Sequence, residues 1–312
     1  MGDDGARMPD PTQMPARATA APAMPGRERL IGWTCATLLL LVWASFHLVS
    51  RFVVRDTLTP WDVAALRYGG AFLCVLPLLA LRGLPRIPLR RIPVILIFAG
   101  FGFPILAYAG YRLAPAAHGA TIMAAGLPAA TAILAALAGL GLPSGRRLFG
   151  IGTIILGSVL LAAVGGGAWA GAWRGDLMFL AAVSSWAVYT LLVPRWSLPA
   201  LDTTIALGLA AAPVYLPVWW LFLPSGLPGA SWGAILGQAA FQGAGAAVLA
   251  GILFTRSVTA LGPSVTTMIG AAVPAIVALA AWPLLGEVLP PLGLLAILLV
   301  SAGMLLGIGG SR

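Results

Sequence analysis

The sequence predicts an all-α polytopic membrane protein with ten transmembrane helices arranged as two inverted five-helix repeats. Composition, the recurrence of long apolar runs and the placement of arginine each point there. Of 312 residues, 60% are hydrophobic and 9% charged, with a mean hydropathy of +0.98. Soluble domains carry roughly 25% charged residues. A water-facing surface is therefore excluded, and the bilayer is the solvent.

Residues 1–29 are rich in Pro, Ala and Met with mixed charge and no apolar period, and read as a disordered tail. The first apolar run starts near Leu30 and is long enough to stay as an anchor, unlike a cleaved signal. From there apolar segments occupy about 30–50, 61–81, 92–113, 117–141, 148–166, 175–194, 201–223, 232–255, 263–285 and 290–309. Each can cross ~30 Å of hydrocarbon as a helix.

Orientation follows from the loop arginines, because positive charge is retained in the cytoplasm. One side receives 13 arginines, among them Arg82, Arg86, Arg90, Arg91, Arg146, Arg147, Arg195 and Arg256; the other receives Arg51, Arg55, Arg112 and Arg174. This places both termini in the cytoplasm, as an even number of helices requires.

Placing Pro128 over Pro274, an offset of 274 − 128 = 146 residues, also brings Thr121 onto Thr267, Ala125 onto Ala271, Ile151 onto Ile297 and Gly157 onto Gly303. Five helices separate the copies, so the two enter the membrane from opposite sides, the plan of secondary transporters. The expected units are 1–29 as a cytoplasmic tail, 30–166 as the first repeat and 167–312 as the second.

The net charge of +9 does not make a nucleic-acid binder, because the arginines punctuate apolar segments instead of clustering on a soluble face. All 18 basic residues are Arg. The absence of Lys excludes a P-loop and any lysine Schiff base. Cys35 and Cys74 lie inside apolar stretches and read as small hydrophobes. His47 and His118 have no carboxylate or thiol at ligand spacing, so neither a metal nor any other cofactor is expected. No Ser/His/Asp arrangement suggests an enzyme.

Function is sought among the polar and aromatic residues near helix centres. Pro128 and Pro274 each remove an N–H and free the carbonyl four residues back, that of Ala124 or Gly270, which suits hinges beside a pathway or a plain kink. Trp43, Tyr108, Trp186 and Tyr189 would wall an amphipathic solute, with Thr121, Gln242 and Thr267 offering polar contacts. Each taken singly also fits helix packing. Trp61, Trp169, Trp173, Trp219, Trp220 and Trp232 sit near helix ends as interface anchors. Arg67 lies inside the second segment and needs a partner, a carbonyl or a cavity; a structural tie and a hold on a substrate carboxylate both fit. From Asp56 onward every acidic residue falls at or near a helix end, so no midplane carboxylate serves an ion or proton.

Four blocks resemble the drug/metabolite transporter superfamily, specifically EamA-type permeases. They are LLLLVWASFHLVSRF at 38–52, TPWDVAALRYGGAFL at 59–73, GDLMFLAAVSSWAVYTLLVPR at 175–195, and the stretch 260–307 with Pro274 and the pair Gly286–Glu287. The resemblance implies two inverted five-helix halves and export of amino acids, aromatic ones included, or related metabolites across a bacterial inner membrane by alternating access. The partners would be the small-molecule substrate and the lipid bilayer, with monomer and homodimer both open. The chain departs from the family pattern at Ala44 and Phe46, where Gly and Asn are common, and Phe46 would favour a more apolar substrate side chain. Transport of a nucleotide sugar, drug or other metabolite is the alternative within the class, and a membrane enzyme or scaffold acting on lipids the alternative outside it.

Overall fold

Among the described residues, each of the expected apolar runs is helical over most of its length. The computed structural model describes residues 26–163 and 171–308, except for the side chains of Asp56, Ala162, Pro263, Ser264, Thr267 and Ile308. The expected tail up to residue 25 and the anchor Trp169 lie outside the described residues. In chain order the helices are α1 (Gly26–Asp56), α2 (Pro60–Arg82), α3 (Ile92–Ile95), α4 (Phe103–Leu113), α5 (Ala116–Leu137), α6 (Gly145–Ala163), α7 (Trp173–Arg195), α8 (Ala200–Phe222), α9 (Trp232–Gln238), α10 (Ala250–Leu261), α11 (Pro263–Gly270), α12 (Val273–Leu285) and α13 (Pro291–Ile308). No strand occurs among the described residues. Among the described residues, eight helical stretches are long and apolar enough to cross a membrane, against ten expected. The other two expected segments are α6, of 19 residues, and α13, of 18, which pack along each other.

Local chemistry sets the ends. Thr59 caps α2 in a reciprocal box: its hydroxyl accepts from the Asp62 N–H, Asp62 accepts from the Thr59 N–H, and Pro60 occupies the first turn, where no donor is needed. Gly286 closes α12 in the left-handed conformation at φ 67°. Its N–H donates to the Trp282 carbonyl at 3.0 Å and the Glu287 N–H to Ala281 at 3.2 Å, a Schellman stop that turns the chain sharply after Leu285.

Two stretches depart from α geometry. Leu96–Gly102 joins α3 to α4 as a π-helix, and Ala239–Leu249 joins α9 to α10 in the same way. Shifting the first by 146 residues gives 242–248, inside the second. Extra residues in a helical turn release backbone groups, and side chains take them up here. Tyr68 donates to the Gly100 carbonyl at 2.7 Å and Ser185 to that of Phe98 at 2.9 Å. Ser185 reaches in because Gly102 faces it without a side chain.

The two prolines behave differently. The helix α5 runs unbroken through Pro128, whereas Ala271–Ala272 form a turn and Pro274 stands at the second position of the new helix α12. A missing N–H costs nothing there. Glycines bring α6 and α13 together. A Cβ on Gly157 would lie 2.7 Å from Val300 and 2.9 Å from the Ala296 carbonyl; one on Gly303 would lie 2.9 Å from Ile154 and 2.8 Å from the Gly150 carbonyl. Residues 154 and 300, like 150 and 296, are again 146 apart, so each glycine meets the counterpart of the other's neighbours.

The main core joins α1, α2, α4, α5, α7 and α8 around Tyr68, Tyr108, Tyr111 and Phe179. Leu73, Leu81, Trp220, Leu279 and Leu298 point outward and are well exposed, as lipid contact requires.

Candidate functional site

The end of the bundle where α1 finishes, here the distal end, is closed by charged and polar side chains, of which His47, Arg51, His118, Asp176 and Glu287 are buried. Arg51, near the end of α1, donates through Nε to Glu287 Oε1 at 2.7 Å and through a terminal nitrogen to the Tyr111 carbonyl at 2.6 Å. Glu287 Oε2 accepts the Ala116 N–H at 2.9 Å, at the start of α5. That contact uses the carboxylate's second oxygen and one of the orphan donors of a helix start. Two residues further along α5, His118 donates to Asp176 Oδ1 of α7 at 2.9 Å. His47 and Tyr111 are hydrogen-bonded through Nδ1 and the hydroxyl. Arg112 ties back to the Val54 carbonyl and, at 3.1 Å, to that of Arg55.

Asp62 anchors a second corner of this end. It is fully buried and accepts from Trp219 Nε1 at 3.0 Å and from the Gly226 N–H at 2.8 Å. Trp219 is thus a buried donor, 9% exposed, and the expectation of an interface anchor is corrected. Trp220 and Trp232, at 78% and 76%, do face outward at helix ends as expected.

Below this layer a polar cluster spans four helical stretches. Tyr108 donates to Gln242 Oε1 at 3.0 Å, and Gln242 Nε2 donates to Ser50 Oγ at 3.1 Å. Arg67 donates to the Gln242 backbone carbonyl at 3.3 Å, within the second π-helical segment. The intramembrane arginine therefore meets a carbonyl, one of the partners the sequence called for.

An aromatic column continues inward from Tyr108. Phe46 lies 6.0 Å from Tyr108 and stacks with Phe103 at 6.3 Å between ring centres. Phe103 meets Trp186 at 5.0 Å, and Trp186 meets Tyr189 at 5.0 Å. Offset and tilted pairs at these separations are favourable ring geometries.

The expected substrate residues therefore divide. Tyr108 and Gln242 touch directly, and Trp186 and Tyr189 reach them through Phe103 and Phe46, neither of which had been assigned to the wall. Tyr189 also packs against Ile87, Ile95 and Leu198 toward the other end. Trp43 is set apart, 6.2 Å from Phe254 and against the backbone of Gly270. Thr121 is fully buried, and its hydroxyl bonds the Ala117 carbonyl at 2.7 Å. The Thr267 side chain lies outside the described residues. Two cavities, of about 190 Å³ beside Trp219 and Leu227 and about 150 Å³ beside Ala132 and Leu142, touch none of the seven.

The distal carboxylate network was missed, although one signal was available: the inferred topology puts Arg51 and Glu287 at the same end of the bundle. Among the described residues no group of three His, Cys, Asp or Glu could hold a metal ion.

Residues 173–308, from α7 through α13, match the model of the EamA-like transporter family. The match supports the resemblance to the drug/metabolite transporter superfamily, and with the apolar helices it marks a multi-pass membrane protein. It also favours transport of small metabolites over enzyme catalysis. A crystal structure of another protein superposes with a TM-score of 0.62 at 18% identity, covering 93% of this chain and 100% of that one, a likeness of fold. No curated protein matches the chain.

Proposed function

We propose that this protein is a secondary transporter that exports amino acids or related small metabolites across the bacterial inner membrane by alternating access. In this reading ten helices cross the bilayer as two inverted halves, 30–166 and 167–312, with both termini cytoplasmic and the distal end facing outward. The matching π-helical segments and the mirrored glycine contacts of α6 and α13 support the two-half plan.

The observation that carries the proposal is that the distal ties cross between the halves. Arg51 belongs to the first and Glu287 to the second; His118 belongs to the first and Asp176 to the second. Apolar packing would seal a static bundle at lower cost. A desolvated ion pair, in contrast, gains little net free energy over its hydrated partners. Such a seal can part and re-form with a small energy gap, as two exchanging states of comparable population need. The column Tyr108–Phe46–Phe103–Trp186 would then be the wall along which the solute passes. Phe46, packed among rings, supports a solute with an apolar side chain.

The test is flux of a panel of amino acids into liposomes holding purified protein, with and without a pH gradient. Saturable movement of at least one amino acid is expected. Rates equal to those of protein-free vesicles across the panel would overturn the amino-acid reading, and a flux seen only with nucleotide sugars or drugs would move the substrate class.

A further inference from the structure

We propose that Arg67 is the anchor for the substrate's anionic group, a carboxylate in the case of an amino acid, and that it sets the requirement for that group. The inference rests on the transporter reading and adds a substrate feature to it.

Arg67 lies seven residues into α2, about 10 Å along the axis from its start. It has left the distal surface and bonds into the second π-helical segment beside Tyr108 of α4. An intramembrane arginine costs about 2.5–3.5 kcal/mol or more unless something compensates its charge. The compensation inside the protein is slight and comes from neutral groups alone: one bond of 3.3 Å to the Gln242 carbonyl, a hydrogen bond with Tyr108 and the nearby Tyr68. A guanidinium carries five donors.

No carboxylate of the described residues pairs with it. The three buried in the bundle are all committed at the distal layer: Asp62 to Trp219, Gly226 and Thr59, Asp176 to His118, and Glu287 to Arg51 and Ala116. Arg67 is also only half-buried, unlike Arg51. A purely structural tie would be met by a smaller neutral donor, whereas a planar fork with free donors suits a two-oxygen anion.

The neighbours fit the other end of the same solute. Tyr108, Gln242 and Ser50 form a neutral hydrogen-bonded row beside the guanidinium, and the rings of Phe46 and Phe103 begin where that row ends. A molecule with an anionic head and an apolar tail meets charge, amide and ring in the order in which it carries them. Zwitterionic amino acids, through their one carboxylate, and mono-anionic organic acids have this pattern, and metal cations and neutral amines do not.

The experiment compares L-phenylalanine and L-leucine with phenylalaninamide and leucinamide, which lack the carboxylate. Flux in liposomes and thermal stabilisation of purified protein by the same compounds are both read, for the natural protein, Arg67→Lys and Arg67→Gln. The natural protein is expected to favour the acids over the amides by at least tenfold, Arg67→Lys to keep part of that preference, and Arg67→Gln to abolish it while its melting point without solute stays near normal. Equal handling of acids and amides by the natural protein, or an undiminished preference in Arg67→Gln, overturns the inference and leaves the transporter reading intact. If no amino acid moves at all, the amino-acid reading fails, and thermal stabilisation by benzoate and succinate decides on Arg67 alone. Stabilisation lost in Arg67→Gln supports it; no stabilisation by either anion, or stabilisation unchanged in the variant, refutes it.

Discussion

Arg51 and Glu287 stand 236 residues apart in the chain and 2.7 Å apart in the fold, and the carboxylate's other oxygen holds the first N–H of α5. One side chain thereby joins α1, α5 and the turn after α12. The Gly286 stop explains the geometry, since a left-handed residue there turns the chain back and delivers Glu287 to the interior.

Removing one partner of this pair leaves a desolvated charge behind. Glu287→Leu should destabilise the protein by about 3–5 kcal/mol, whereas Arg51→Met with Glu287→Leu should restore most of that loss. Thermal unfolding in detergent measures both. The double variant is expected to be stable yet slow in transport, because an apolar seal does not part readily. A double variant with unimpaired flux would show that the pair is not part of a gate.

Tyr108→Phe removes the donor to Gln242 Oε1 and should cost about 1–3 kcal/mol through the unsatisfied buried amide. Gln242→Leu in the same background should then cost less than it does alone. Additive losses in the double-mutant cycle would mean that the two side chains do not interact.

Trp186→Leu should leave expression and folding near normal and lower flux or shift preference between aromatic and aliphatic amino acids. The ring is held by Phe103 and Tyr189 and so belongs to the interior column, whereas a lipid-facing Trp is replaceable at little cost. Trp220→Leu, fully outward on α8, serves as the control. Unchanged transport of the whole panel by Trp186→Leu would move the wall to other helices.

The helical runs were legible in the sequence to within a few residues at most ends, because about 20 apolar residues in succession admit only one structure in lipid. The two π-helical segments left no such trace: Leu96–Gly102 is as apolar as its flanks, and an inserted residue does not change composition. Gln242 was singled out, but its links to Tyr108, Ser50 and Arg67 depend on the packing of α1, α2 and α4 against a distant segment. Thr121 looked like a polar contact by position, and its hydroxyl proved to be used by its own helix, as threonines in apolar surroundings commonly do. Charge pairs such as Arg51–Glu287 become visible only after a topology has put two helix ends at one level.

The mirrored contacts of α6 and α13 make a prediction about architecture. Gly157→Val and Gly303→Val should each overpack the same kind of contact and destabilise by similar amounts, about 1–3 kcal/mol. A large loss in one and none in the other would argue against two equivalent halves.

Topology is open to a direct check. Reporter domains active only outside the cytoplasm should be silent when fused after Arg312 or ahead of Met1, given 13 arginines on one side against four on the other. Strong external activity at the C terminus would sink the ten-helix arrangement.

The claim that the distal end opens during transport is tested most directly by tying it shut. In a background with Cys35 and Cys74 replaced by Ala, cysteines are placed at Arg51 and Glu287, joined by a thiol-reactive bifunctional linker, and exchange of a labelled amino acid across liposomes is followed. The account predicts that exchange stops in the linked protein and persists in samples treated with a monofunctional reagent. Exchange continuing at the same rate in fully linked protein would contradict it.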